Sequence, residues 1–253
     1  MKIALLLSGQ PRFIGEGAPY ILKNVCHGYE VDTFIHFWFD DKMQTEPYKF
    51  GECGQGTWHE QRIAKNAVDH AVQIYKPIKH VVEPSKTFID SNVPFQTSLE
   101  RYWKGALGES DPEGFRFRNI NNCLSYFYSL NEVNKFKKEY EYANDFKYDW
   151  VVRCRTDTLI HTKIPFEDLD PEFIHFSDLQ GQPDGMINDW FDFGGSKEMD
   201  AFMSVFPVWQ LILEKCLREN NGAYCHELMH RKMVDSFGIR IQGQPIEITL
   251  PRF

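Results

Sequence analysis

The opening Lys2-Ile-Ala-Leu-Leu-Leu-Ser8 is a continuous apolar run closed by Gly9, with Pro11 just beyond. A strand that loses the apolar/polar alternation is one that meets water on neither face, which is the condition of an inner strand of a parallel sheet. Parallel neighbours need long crossover connections, usually helices. This one segment therefore commits the chain to an α/β architecture with both sheet faces covered.

The rest of the sequence keeps to that pattern. A helix is expected over about 17–24, with Pro19 in its first turn. Val31-Asp-Thr-Phe-Ile-His-Phe-Trp38 reads as a second strand from its β-branched and aromatic content, and 40–57 as a polar, Gly-containing loop. Ile63, Ala67, Ala71 and Ile74 share one helical face, which predicts a helix over 60–75 that stops before Pro77. Ile78–Glu83 reads as a third strand. Gly105, Gly108, Pro112 and Gly114 mark 84–119 as a long irregular insertion. Leu124, Phe127, Leu130, Val133 and Phe136 draw the stripe of a helix over 121–143, with the lysines near 135–138 on its solvated side. Trp150-Val-Val begins another buried strand, and Phe173–Phe176 and Trp190–Phe193 are shorter ones. Ser196 reads as an N-cap, Pro207 divides the helical pattern that follows, and a last helix over 224–236 leads to a strand over 238–242. Strands alternating with helices predict one Rossmann-type α/β/α sandwich with a mostly parallel central sheet, a single domain over residues 1–253.

Composition restricts function more than fold. The formal net charge is −8 and the basic residues are scattered, so the chain offers no phosphate-tracking stripe and duplex nucleic acid is excluded as a partner. Aromatic residues make up 15% of the chain, enough to pack a core and also to line a cleft. Cys26, Cys53, Cys123, Cys154, Cys216 and Cys225 form no CxxC pair. With no leader-like or membrane-spanning run, they read as reduced thiols of a cytoplasmic protein, Cys154 in the core.

In open α/β sheets ligands bind beyond the carboxyl ends of the strands, so the polar residues there are the ones to inspect. After the first strand come Ser8, Gly9, Gln10 and Arg12. Gly9 admits a close approach, Ser8 and Gln10 can hydrogen-bond a nucleoside or phosphate, and Arg12 is a planar fork for phosphate oxygens. The loop carries neither a Walker motif nor GxGxxG, which argues against ATPase and dinucleotide readings. At the end of the fourth strand, alternation puts Arg153, Arg155 and Asp157 on one side. Two guanidiniums and a carboxylate suit a diphosphate, with or without a metal. Asp157 is the candidate ligand for Mg²⁺ or Mn²⁺ in a single-carboxylate site, and the arginines are candidates to neutralise a leaving nucleoside diphosphate.

These segments, in order, resemble small GT-A-like sugar transferases of polysaccharide gene clusters and large viruses. Lys2–Arg12 looks like their first strand and loop, and Val31–His36 like their second strand. Tyr148-Asp-Trp-Val-Val-Arg-Cys-Arg-Thr-Asp157 is similar to their strand ending in the acidic motif. Asn188-Asp-Trp-Phe-Asp-Phe-Gly-Gly195 is similar to a later polar pair, strand and glycine turn. The resemblance implies a GT-A-like fold and a glycosyltransferase moving a sugar from a nucleotide diphosphate sugar to a glycan or other hydroxyl acceptor. The nucleotide would lie near Ser8, Gly9 and Arg12, the diphosphate and metal near Asp157, and the sugar or acceptor near Asp189. The usual acidic motif is Asp-x-Asp, and Arg155 holds its first position here. Asp189, Asp192 and Glu227 are candidates for the base that an inverting transfer needs, Asp189 first.

A competing motif is His226-Glu-Leu-Met-His230, a literal HExxH. On a helix its histidines would share a face and could hold zinc, with Glu227 as base of a hydrolase. No third histidine follows in the extended pattern. A third reading is a nucleotide- or sugar-binding domain without catalysis. His36 and His175 lie in strands and are expected to be satisfied core or cleft residues.

Overall fold

The computed structural model describes residues 1–46, 48–51, 58–89, 120–178, 186–220 and 224–251. Its centre is a seven-stranded sheet. The strands are β1 (Lys2–Gly9), β2 (Glu30–Trp38), β5 (Lys79–Glu83), β6 (Trp150–Cys154), β8 (Ile174–Ser177), β9 (Phe191–Gly194) and β10 (Ile241–Gln244). They lie in the order β10-β8-β9-β6-β1-β2-β5. All pairings are parallel except the two made by β9. Two short antiparallel pairs stand apart, β3 (Tyr48–Gly51) with β4 (Trp58–Gln61), and β7 (Leu159–Ile160) with β11 (Ile248–Thr249).

The helices among the described residues are α1 (Ile14–Ile21), α2 (Asp41–Thr45), α3 (Ala67–Tyr75), α4 (Ile120–Asn144), α5 (Ser196–Phe202), α6 (Trp209–Glu219) and α7 (His226–Phe237). The continuous apolar run of β1 follows from two cores. Ala4 and Leu6 face one, with Leu124, Phe127 and Leu130 of α4. Ile3, Leu5 and Leu7 face the other, with Ile14, Ala18 and Ile21 of α1. Each alternate side chain thus enters a different apolar layer, at roughly 1.5–3 kcal/mol of transfer free energy per large side chain.

Several elements differ from the sequence reading. α1 starts earlier than expected and passes through a π turn at Leu22–Cys26, so Pro19 stands inside the helix. The π register and the cap bonds from Leu22 to Ala18 and Pro19 carry the chain past the ring. The helix expected over 60–75 is half as long. Trp58–Gln61 pairs as a strand, and α3 begins at Ala67. Asp41–Thr45, read as loop, forms α2, capped by the Asp40 carboxylate, which accepts from the Met43 N–H at 3.0 Å. Gly195 rather than Ser196 is the N-cap of α5. The Ser196 hydroxyl is spent elsewhere, donating to Glu141 at 2.6 Å and accepting from buried Lys137 at 2.6 Å. The final strand begins at Ile241 because Gly238 closes α7 in a left-handed conformation (φ 64°) that keeps the chain from extending at once. Of the expected insertion over 84–119, residues 90–119 lie outside the described residues, as does Cys53.

The other five cysteines are free thiols, four of them buried. Burial pushes the Cys26 thiol up to about 12. No helix among the described residues is long and apolar enough to cross a membrane.

The topology fixes where a ligand can sit. From β1 the chain steps outward to β2 and β5, then returns to β6 on the other side of β1. The carboxyl ends of β1 and β6 therefore diverge into the crevice where open α/β sheets bind ligands. Because β9 runs antiparallel to β6, the residues just before β9 rise at this same rim.

Candidate functional site

Gly9 ends β1 at φ 109°, a conformation open to glycine and costly for other residues, and turns the chain into Gln10–Arg12. Thr156, just past β6, ties this loop down. Its hydroxyl donates to the Arg12 carbonyl at 2.8 Å. Gly17 of α1 lies directly against the same turn, leaving no room for a Cβ beside the Thr156 carbonyl. The two strand ends are thereby locked together, and Arg12 is delivered to Asp157, Nε to Oδ2 at 3.7 Å.

Arg155 grips the same carboxylate with both arms, Nε to Oδ1 at 2.8 Å and Nη2 to Oδ2 at 2.7 Å. Burial alone would raise Asp157, but Arg155 and Arg12 outweigh it and hold the carboxyl below its usual range. Burial opposes the charge on Arg155, and Asp157 and Asp189 more than offset it, so the guanidinium stays charged. The expected alternation from Arg153 through Asp157 does not hold. β6 ends at Cys154, the chain turns, and Asp157 folds back onto Arg155.

Arg153 is a correction to the expected ligand set. It stands opposite Asp192 in the β6–β9 register and is 1% exposed. It is hydrogen-bonded to the Asp192 carboxylate and to the backbone carbonyl of Asp189, with the Tyr126 ring 5.5 Å away. A guanidinium so enclosed contacts no ligand. It positions Asp189 and the segment before β9. Asp192, expected among the candidate bases, is sealed in the same pair and out of reach of an acceptor hydroxyl. One oxygen, Oδ1, has no hydrogen-bond partner among the described residues. Burial raises Asp192 to about 6 against the pull of Arg153. Ser8 is also buried, at 6% exposure. The Gln10 amide leans on the Met43 sulfur at 3.8 Å.

A second group faces the arginines across the rim. Asp189 Oδ2 is 2.8 Å from His226 Nε2 and 3.9 Å from Arg155 Nη1. His226 Nε2 is also 3.4 Å from Glu227 Oε1. Asp189, reached from β9, and His226 with Glu227, at the first turn of α7, thus converge from distant parts of the chain. Beside Arg12, a cavity of about 290 Å³ opens between the starts of α1 and α3, lined in part by Phe13, Glu16, Arg62, Asn66 and His70.

The HExxH motif does not act as a pair. His226 turns to the rim, whereas His230 is fully buried, stacked on Phe202 at 4.2 Å, with Nε2 3.2 Å from the Phe202 carbonyl. The residues placed to share an ion are Asp189, His226 and Glu227, without His230. The expectation for the strand histidines holds. His36 lies 2.8 Å from Ser129 Oγ and 3.1 Å from Glu83. His175 lies 2.9 Å from the Asp170 carbonyl and 2.9 Å from the Gln244 amide.

Burial, with the nearby Arg153 charge, lowers His230 to about 3, so it folds neutral. The unfolded chain takes up that proton below the ordinary value of about 6.5. The contribution is complete above that pH and is lost as pH falls toward 3. Between pH 7 and 5 it amounts to about 2 kcal/mol. Urea unfolding at the two pH values should show this loss in the wild type and a shallower loss in His230→Phe. Equal slopes would show that His230 titrates normally.

Compared with known proteins, the chain matches no family model and no curated protein.

Thr156, Gly17 and Tyr126 escaped the sequence reading. Thr156 stands between two flagged charges, but nothing in the sequence says that its hydroxyl ties a loop from the opposite end of the sheet. Tyr126 falls off the apolar stripe of α4, which marks it only as solvent-facing.

Proposed function

We propose that this chain is a GT-A-like glycosyltransferase that binds a nucleotide diphosphate sugar in the crevice between β1 and β6. The observation that carries the reading is that Arg12 and Arg155 converge on one carboxylate, Asp157, at the switch point of the sheet. Two guanidiniums held charged and oriented before a ligand arrives suit a diphosphate, whose oxygens accept strong charge-assisted hydrogen bonds from the arms that do not hold Asp157. In the transfer they stabilise the charge that develops on the leaving nucleoside diphosphate, the kind of preorganised interaction that accelerates reaction. Asp157 keeps both forks aimed. The cavity beside Arg12 offers room for the nucleoside, and Asp189, His226 and Glu227 line the side where sugar and acceptor meet.

A divalent cation, where bound, would neutralise diphosphate charge. Asp157 does not fit that task, because Arg155 occupies both of its oxygens.

The test is binding of nucleoside diphosphates to the full chain. Removing one charge-assisted pair costs about 1.5–3 kcal/mol, so Arg155→Ala should weaken the best ligand by roughly 10- to 150-fold. Arg12→Ala should weaken it in the same direction. Unchanged affinity in both variants would remove the diphosphate from this crevice.

A further inference from the structure

We infer that Asp189, His226 and Glu227 form a divalent-cation site, in place of the single carboxylate at Asp157. One ligand atom from each lies within 4.8 Å of the others. Two donors on one octahedral ion stand about 3 Å apart. His226 Nε2 is already 2.8 Å from Asp189 Oδ2 and 3.4 Å from Glu227 Oε1. Both distances from His226 match the spacing of neighbouring ligands, and the two carboxylates stand within 4.8 Å of each other. The donors come from well-separated elements that are held independently. The Asp189 backbone is fixed through its carbonyl by buried Arg153, and α7 by its apolar face, with Leu228 and Met229 in the core. His226 is further braced by Tyr126, whose ring lies 5.0 Å from the imidazole.

Two features oppose a cation. The start of α7 presents the positive end of a helix dipole, worth up to about 1 kcal/mol. Arg155 stands 3.9 Å from Asp189. Two carboxylates within direct ligand distance outweigh the dipole. Asp157 holds the guanidinium at Nε and Nη2, so Nη1 is the arm nearest Asp189 and stays at 3.9 Å from it, beyond hydrogen-bond distance. Mixed nitrogen and oxygen donors favour Mn²⁺ over Mg²⁺, which prefers oxygen alone. The assignment deepens the transferase reading, on which its part in donor binding rests. It makes Asp189 and Glu227 cation ligands rather than bases toward the acceptor.

The experiment is calorimetric titration of the full chain with MnCl₂ and no nucleotide, alongside Mn²⁺ electron paramagnetic resonance. The wild type should bind one Mn²⁺ per chain. His226→Ala and Glu227→Gln should each lose about tenfold or more in affinity. Asp157→Asn should lose less affinity than either. Thermal melts check that every variant folds, and if His226→Ala does not fold, His226→Gln replaces it. No Mn²⁺ binding to the wild type, or loss in Asp157→Asn with His226→Ala unchanged, overturns the site. A titration with UDP, GDP and CDP in EDTA reads the arginine crevice separately. Nucleotide binding there without any Mn²⁺ binding would sink the cation site and leave the donor site standing. Mn²⁺ binding by a chain that takes up none of the nucleotides, with Mn²⁺ present or absent, would do the reverse.

Discussion

Arg153→Ala is expected to cost about 3–5 kcal/mol of folding stability, because it strips the partner from a buried carboxylate. Asp192 is fully buried and has no other partner for its charge among the described residues. The substitution also abandons the Asp189 carbonyl and opens a cavity beneath Tyr126. For a chain of this size, 1 kcal/mol moves the melting temperature by roughly 2–4 °C. A fall of about 6–20 °C should follow in a thermal melt. The double variant Arg153→Met with Asp192→Leu tests the cause, since apolar residues of similar volume often replace a buried pair at little cost. It should recover most of the loss, though not all, because the Asp189 carbonyl still lacks its donor. A melt of Arg153→Ala within about 2 °C of the wild type, which corresponds to roughly 1 kcal/mol at most, would mean the pair is not what holds the rim.

Gly17→Ala should be the most damaging single methyl in α1. Helix propensity alone predicts a gain of about 1 kcal/mol. An added Cβ would sit 2.0 Å from the Thr156 carbonyl oxygen and 3.0 Å from its carbon. Both are backbone, so a helix or the turn must move. Overpacking of this kind costs about 1–3 kcal/mol or more and overrides the propensity. Gly15→Ala is the matched control, two residues away on the same helix. Its Cβ meets only the His70 ring at 3.6 Å, an ordinary contact. The two variants should shift the melting temperature in opposite directions. Because the displaced turn carries Asp157, Gly17→Ala should also weaken diphosphate binding, whereas Gly15 lines the cavity beside Arg12, so Gly15→Ala serves as the control for stability alone. Equal and small effects of both would show that α1 does not press on the turn.

The sheet was legible wherever burial alone sets the pattern. Ile3–Leu7 and Trp150–Val152 are apolar because both faces are covered, and both lie in inner strands as expected. The reversal of β9 was not legible, since Phe191-Asp-Phe has the same composition whichever way it runs. Its direction is set by pairing with β6 and β8, contacts distant in sequence. Short elements also escaped. Asp41–Thr45 is too short for periodicity, and Trp58–Gln61 finds its partner only across the intervening chain.

The site was legible in its residue types but not in its pairings. Arg12, Arg155 and Asp157 were flagged as charges at strand ends, and the fold does gather them. That Arg153 faces inward to Asp192 depends on where β6 stops, and sequence places such boundaries only to within a few residues. The HExxH spacing invites a helical pair. The same geometry instead sends His226 to the rim and His230 against Phe202, because His226 opens α7 beside Asp189 while His230, one turn on, is covered by Phe202 of α5.

The most direct measurement of the central claim is a thermal-shift and calorimetric titration of the full chain with UDP, GDP, CDP and their sugars. A ligand that binds only the folded chain at a hundredfold excess over its dissociation constant stabilises it by about 2.7 kcal/mol. The account predicts such a rise with one nucleoside diphosphate and its sugar, strongly weakened in Arg12→Ala and Arg155→Ala. A wild-type chain that stays at its unliganded melting temperature with every one of them, with Mn²⁺ present and absent, would contradict it.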